Sequence, residues 1–295
     1  MNTRNLRFRS NRVRDILSFF HEELDSMYGN GEVAVFCEML FEAFLGWDKV
    51  RLLTSKEQTI DQSDLLRFHW ALEDLKKHRP IQHIIGYTDF CNCRIKVSPD
   101  VLIPRPETEE MVEWIIKNEE LRIKNVLDLC TGSGCIAIAL KKAFPQAEIT
   151  AVDISEQALA MARHNAAAND TEINFLQADI LSGLSDKPDQ SDSFHLIVSN
   201  PPYICDSERV QMQHNVLDYD PALALFVPDS DPLRFYKVIA KMASEHLSPD
   251  GLLVVEINEA LSKETCDLLK EFGFLPEVHT DFRGKCRWIS AALNP

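Results

Sequence analysis

The sequence predicts an α/β protein: a mainly parallel sheet covered by helices on both faces, with a small helical bundle ahead of it. Two observations carry that expectation. From Lys124 onward short apolar runs alternate with stretches of helical period, and successive parallel strands need crossover helices of that kind. Before His78 the periodicity is helical throughout. The chain, at 295 residues, exceeds one core of modal size, so two domains are the natural expectation.

Between Asn11 and His78, Val13, Ile16, Leu17 and Phe20 recur at helical spacing, as do Leu65, Phe68, Leu72 and Leu75. These stripes read as core, with a partner-docking face as the alternative. Ser55-Lys56-Glu57-Gln58 has the form of a capping box and reads as a helix start. At Arg79-Pro80 the period changes, and Ile81 to Gly86 and Cys93 to Val97 are expected as two short strands around a turn. Leu102-Ile103-Pro104-Arg105-Pro106-Glu107 is a proline-stiffened connection into a helix from about Thr108. Arg105, held between two prolines, either orients a functional group or forms a structural salt bridge.

In the second half, strands are expected at Val126 to Leu129, Ile149 to Val152, Ile173 to Leu176, Phe194 to Val198 and Leu252 to Val255. Helices are expected at Cys135 to Ala143, Glu156 to Ala168, Leu233 to Leu247 and Leu261 to Phe272. Two final strands, Leu275 to Thr280 and Arg287 to Ala292, close one edge of the sheet, with an antiparallel arrangement open to them. Ser182 to Ser193 reads as a polar, mobile loop. A ligand is expected at the carboxyl ends of the parallel strands.

The composition is that of a soluble enzyme, 45% apolar and 26% charged. No apolar run of about eighteen residues is present to span a membrane. The formal charge of −15 opposes a phosphate backbone, so nucleic acid is a disfavoured partner. Arg4, Arg7, Arg9, Arg12 and Arg14 precede the first acid, but no apolar signal core follows, and they read as a frayed start and one helix face. The eight cysteines include no Cys-x-x-Cys pair, which points to free thiols, a reducing cytoplasm and no metal.

Ser199-Asn200-Pro201-Pro202-Tyr203 follows an apolar strand and is the expected reaction site. Two prolines end the strand and stiffen the turn. The Asn200 side-chain oxygen and the Pro201 carbonyl can receive the two protons of a substrate NH2 group, while Tyr203 offers an aromatic face. Asp128-Leu129-Cys130-Thr131-Gly132-Ser133-Gly134 sits where a strand turns into a helix, a place for the anionic end of a ligand. A dinucleotide fingerprint would have glycines at 130, 132 and 135, and cysteines stand at 130 and 135, so a small carboxylate is expected in place of a pyrophosphate. Asp153, ending the next strand, suits ribose hydroxyls; Asp179 is placed for an adenine amine, beside Ile180. Carboxylate, ribose and adenine together describe S-adenosylmethionine. For either aspartate alone a helix cap is an equally good reading.

This glycine turn, the two aspartates and Asn-Pro-Pro-Tyr resemble amino-methylating, S-adenosylmethionine-dependent methyltransferases. Arg79-Pro80-Ile81-Gln82 through Gly86, with Leu102-Ile103-Pro104-Arg105-Pro106-Glu107-Thr108-Glu109, resembles the linker signature of the release factor glutamine methyltransferases, the PrmC/HemK family. The resemblance covers essentially the whole chain. It implies a helical substrate-docking domain over residues 1–78, a hairpin-like linker over 79–106, and a seven-stranded, Rossmann-like methyltransferase domain over 107–295. The implied reaction is methylation of the glutamine in the Gly-Gly-Gln motif of peptide chain release factors, with S-adenosyl-L-homocysteine as the product of the cofactor. The resemblance implies that Cys130, Thr131, Gly132, Ser133, Gly134, Asp153, Asp179, Ile180 and Asn200 contact the cofactor. It also implies that Asn200, Pro201, Pro202 and Tyr203 hold the glutamine, with Asn200, Pro201 and Tyr203 catalytic. Cys130 stands where a glycine is common, and Ile180 where some relatives have an aromatic residue. Competing readings are a nucleic-acid adenine methyltransferase and a non-catalytic cofactor-binding module.

Overall fold

A computed structural model of the chain describes residues 8–118, 122–183, 193–212 and 214–294. The chain divides into two compact units, Met1–Gly86 and Tyr87–Pro295. The first is helical: α1 Val13–Tyr28, α2 Asn30–Leu45, α3 Lys49–Thr54, α4 Gln62–Leu75 and α5 Ile81–Ile85. Its core is aromatic, with the Phe41 and Phe68 rings 4.5 Å apart and Phe20 edge-on to Phe68. Of the stripes read from the sequence, Val13, Ile16 and Phe20 on α1 and Leu65, Phe68, Leu72 and Leu75 on α4 are buried here, and Leu17 is partly buried against them. Arg9 pairs with Glu22, and Arg12 and Arg14 with Glu57, at the surface.

Two local expectations are overturned in this unit. Ser55 does not open a helix; it is the C-terminal cap of α3, and α4 starts at Gln62 behind Asp61. The backbone of this segment is used differently, because the Lys56 and Gln58 carbonyls accept the first N–H groups of α1 from Arg14 and Val13. Those donors have no intrahelical partner, so an irregular segment laid across the helix start satisfies them. Ile81 to Gly86 is not a strand but α5, whose first N–H groups, from His83 and Ile84, bond the Pro80 carbonyl. A short apolar run does not distinguish helix from buried strand. The deciding signal is the punctuation, with Pro80 at the start and Gly86 at φ +88° closing the turn in a left-handed conformation. The division between units accordingly falls after Gly86.

The second unit opens with a hairpin, β1 Tyr87–Phe90 and β2 Cys93–Lys96, then α6 Pro106–Lys117. Then follow β3 Asn125–Leu129, α7 Cys135–Ala143, β4 Glu148–Asp153, α8 Glu156–Ala168, β5 Asn174–Gln177 and β6 Phe194–Ser199. After β6 come a short parallel pair, β7 Ile204–Cys205 with β8 Phe226–Val227, and between them the single turn α9 His214–Leu217. The unit finishes with α10 Arg234–His246, β9 Leu247–Glu256, α11 Ser262–Glu271, β10 Phe274–Thr280 and β11 Cys286–Leu293.

Seven strands form one sheet in the order β10-β11-β9-β6-β3-β4-β5. The five from β9 to β5 run parallel, while β11 is antiparallel to both its neighbours. Alternate residues of the central strands feed two apolar layers. Val126, Leu196, Val198 and Val254 pack with α6 and α7; Leu127, Leu129, Ile197, Leu253 and Val255 pack with α10 and α11. Burial on both faces explains the nearly unbroken apolar runs in these strands. Pro276 lies in β10 at the sheet edge, where a missing N–H leaves no ladder incomplete. The expected loop from Ser182 to Ser193 lies mostly outside the described residues. No helix among the described residues is long and apolar enough to cross a membrane.

Candidate active site

In register, Leu129 of β3 stands beside Val152 of β4 on one side and Ser199 of β6 on the other, and Ser199 stands beside Val255 of β9. The next residue of each strand or its turn is therefore Cys130, Asp153, Asn200 and Glu256, one row along one edge of the sheet. The chain builds outward through β4 and β5, then returns to place β6 on the other side of β3. Crevices form at that reversal because neighbouring connections leave in opposite directions.

A cavity of about 350 Å³ opens there, within the range of small-molecule sites. Cys130, Gly132, Asp153, Asp179, Ile180, Asn200 and Pro202 all line it. Five sequence-derived candidates do not. Thr131 turns inward and donates to the buried Asp128 carboxylate at 2.6 Å, and Ser133 gives its carbonyl to the Asn165 side chain. Gly134 faces α8, while Pro201 and Tyr203, on the same turn as Asn200 and Pro202, are not among the lining residues. Burial raises the pKa of Asp128 to about 7 against the lowering pull of that threonine.

Glycine is required at two positions of the turn for different reasons. Gly134 has φ +81°, and a Cβ there would stand 3.0 Å from the Ala162 Cβ, so α7 and α8 approach each other over a bare backbone. Gly132 has φ +54° with nothing within 4 Å of its missing Cβ, which leaves room over the turn. Cys130 also takes a left-handed φ, of 61°, a conformation that costs an L-residue about 1–2 kcal/mol. The preference for glycine at that position is thus conformational. Burial raises the Cys130 thiol pKa, with Asp153 adding to the effect, so it remains a protonated packing group.

Asp153 holds the turn from the neighbouring strand. Its Oδ2 accepts the Gly132 N–H at 2.8 Å and its Oδ1 the Ser155 N–H at 2.9 Å. Burial pushes its pKa up and these backbone donors pull it down. Asp179 caps the short turn Ile180–Ser182, accepting from the Leu181 N–H and the Ser182 hydroxyl. It combines the capping role with a place on the cavity wall.

At Asn200 the structure adds residues that sequence reasoning missed. The Asn200 Nδ2 donates to Thr108 Oγ1 at 3.0 Å, and the Thr108 hydroxyl donates to Glu256 Oε2 at 2.6 Å. The Tyr203 hydroxyl donates to Glu256 Oε1 at 2.9 Å. Thr108 and Glu256 are each only 2% exposed. Burial raises the Glu256 pKa, opposed by the two hydroxyl donors. No described residue donates to Asn200 Oδ1 or to the Pro201 carbonyl. The logic that selected Asp153, an acid ending an apolar parallel strand, applies equally to Glu256. Thr108 carries no signal of its own beyond its place in the first turn of α6.

Arg105, the N-cap of α6, pairs with the Asp220 carboxylate at 2.5 Å, and that side chain is 1% exposed. The structural alternative for Arg105 is therefore the one observed. Burial raises the Asp220 pKa while the Arg105 guanidinium lowers it. The bond anchors the segment after α9, whose Pro221, Leu223 and Ala224 form part of the cavity wall.

Residues 18–86 match the family model for the PrmC N-terminal domain, and residues 108–219 that for the methyltransferase small domain. The chain is 42% identical to the release factor glutamine methyltransferase of Flavobacterium psychrophilum, over 89% of this chain and 92% of that protein. The chain belongs to the release factor glutamine methyltransferase family. The enzyme of that name from Bacteroides thetaiotaomicron is 39% identical over 94% of this chain and 98% of its own length. A solved release-factor-specific protein-(glutamine-N5) methyltransferase from Alicyclobacillus acidocaldarius is 25% identical, covers 68% of this chain and 99% of its own, and overlays with a TM-score of 0.42; the family assignment rests on the sequence relatives.

The methyl donor of such a methyltransferase, S-adenosylmethionine, fits the residues present. The bare backbone at Gly132 leaves open space at the cavity, which also has an apolar wall that includes Ile180 and Pro202 and two carboxylates, Asp153 and Asp179. Gly134→Ala is expected to destabilise this methyltransferase by about 2 kcal/mol or more, from the left-handed φ together with the contact on Ala162. Denaturant unfolding checks it, and a stability equal to wild type refutes the close packing of α7 on α8.

Proposed function

We propose that the chain transfers a methyl group from S-adenosylmethionine to the side-chain amide nitrogen of the Gly-Gly-Gln glutamine in peptide chain release factors, supporting translation termination. The observation that carries this reading is the pair of unclaimed acceptors, Asn200 Oδ1 and the Pro201 carbonyl, on one proline-stiffened turn beside the cavity. An amide NH2 has two protons to give, and two fixed acceptors match it. When bound, S-adenosylmethionine supplies an electrophilic methyl group on a sulfonium. The chain does the rest. Asp153 and Asp179 hold the hydroxyl and amine groups of the cofactor, and Gly132 lets it lie close to the backbone. Asn200 and Pro201 polarise the glutamine nitrogen, whose lone pair is otherwise delocalised into its carbonyl, and aim it at the cavity. Pro202 lines the approach; Tyr203 secures the turn through Glu256. As positive charge develops on nitrogen, the same two oxygens stabilise it, so orientation and electrostatics carry the rate. A proton then leaves to water. This role places the protein in the cytoplasm, and its net charge of −15 favours a protein partner over nucleic acid.

Mass spectrometry after incubation with cofactor and release factor is expected to find one methyl group on that glutamine and none on a Gln→Ala release factor. Methylated DNA in a parallel arm, with unmodified release factor, overturns the reading. Asn200→Ala is expected to lower turnover by about a hundredfold, the scale for losing one preorganised polar group, and near-normal turnover would relocate the reaction site. Asp153→Ala should weaken cofactor binding by about 1.5–3 kcal/mol, measured by calorimetry; unchanged affinity in the folded variant removes Asp153 from the site.

Residues 1–78 serve as the substrate-docking region. A glutamine side chain is too small to distinguish one protein from another, so selectivity needs a second contact area. Val50 and Leu53 on α3 and Trp70 on α4 stand exposed, Trp70 at 60%. Trp70→Ala is expected to raise KM for whole release factor about tenfold at constant kcat and constant cofactor affinity. Steady-state kinetics showing no change in KM excludes Trp70 from the docking surface.

A further inference from the structure

We propose that Thr108 and Glu256 are positioning residues that decide which end of the Asn200 carboxamide faces the substrate, an inference that rests on the glutamine reading above. The two ends of a carboxamide have nearly the same size and opposite hydrogen-bonding character. Half a turn about the last side-chain bond would swap the acceptor for a donor with little steric penalty. An Asn200 turned that way would set its own N–H against the N–H of the incoming glutamine, removing one of the two acceptors on which the reaction depends. Something on the protein side must hold the orientation.

The relay supplies it. Glu256, as a carboxylate, only accepts, and it ends the chain of hydrogen bonds. The Thr108 hydroxyl has a single proton and gives it to Glu256 Oε2 at 2.6 Å, which leaves only lone pairs toward Asn200. Asn200 can answer a lone pair only with its NH2 group, and its Nδ2 is found there at 3.0 Å. Oδ1 is thereby the end left without a protein donor. Water cannot readily scramble this order, because Thr108 and Glu256 are both buried.

The carboxylate is held in turn. Tyr203 donates to its other oxygen at 2.9 Å, and the Tyr236 hydroxyl donates to the Glu256 main-chain carbonyl at 3.0 Å. One carboxylate thus ties both ends of the Asn-Pro-Pro-Tyr turn, Asn200 through Thr108 and Tyr203 directly. Both of its oxygens already receive hydroxyl protons, and an amide and a hydroxyl stand between it and the substrate. That arrangement suits an orienting anchor and not a base that collects the released proton.

The test compares Thr108→Val and Thr108→Ala, which remove the hydroxyl, with Thr108→Ser, which keeps it. The full-length protein, S-adenosylmethionine and whole release factor are used, with kcat, release-factor KM and calorimetric cofactor affinity as readouts. The valine and alanine variants are expected to lose about tenfold or more in kcat while cofactor affinity stays within about twofold, and serine to recover kcat to within about threefold of wild type. A hydroxyl-free variant that binds cofactor and keeps kcat within about twofold of wild type overturns the proposal, as does a serine variant that falls as far as valine. A wild-type protein that methylates no glutamine overturns the functional reading itself, whereas an active wild type with an unaffected valine variant overturns the positioning role alone.

Discussion

Parallel strands covered on both faces have no side on which to carry polar groups, and this constraint decides where the chemistry of this protein lies. The central strands are mainly apolar, with the buried Asp128 of β3 an exception, and at their carboxyl ends the hydrogen-bonding register brings Cys130, Asp153, Asn200 and Glu256 into one row. Residues far apart in sequence become neighbours through strand pairing alone, without any loop having to find its partner. The reversal of strand order at β3 then opens the crevice in front of that row.

The polar groups of the row sustain one another. Asp153 spends one oxygen on the Gly132 N–H and the other on Ser155, so the glycine turn and the following helix share one anchor. Glu256 spends both oxygens on hydroxyls from two different segments. A buried carboxylate without such donors would take up a proton or destabilise the fold by several kcal/mol. With them, each desolvated acid becomes a fixed acceptor around which softer loops are arranged. Arg287, another group near Glu256, is itself held by Asp281 at 2.8 Å, so the neighbouring positive charge is fixed as well.

Much of this arrangement is legible in the sequence. The order and type of the elements after Lys124 follow from strand runs too short and helical stretches too long to be mistaken for each other. The cavity wall formed by Cys130, Gly132, Asp153, Asp179, Ile180, Asn200 and Pro202 follows from reading strand ends. What escapes is whatever depends on orientation. Thr131, Ser133 and Gly134 belong to the same turn as Gly132, but the turn's curvature sends them into the protein, toward Asp128, Asn165 and Ala162. Tyr203 ends the Asn-Pro-Pro-Tyr turn and directs its hydroxyl to Glu256. Ile81 to Ile85 coils because Pro80 and Gly86 punctuate it, although its hydrophobic run alone permits a strand. Thr108 escapes because its partners are 92 and 148 residues away.

The ion pair between Arg105 and Asp220 has a consequence for how such a sequence is able to change over time. Its acid is almost fully shielded, so losing the arginine strands a buried charge and losing the aspartate removes the anchor that holds Arg105. Each single replacement is therefore worse than either the intact pair or its joint loss. The two positions, 115 residues apart, are therefore coupled, and a change at only one of them would misplace the cavity wall even with the Asn-Pro-Pro-Tyr turn intact.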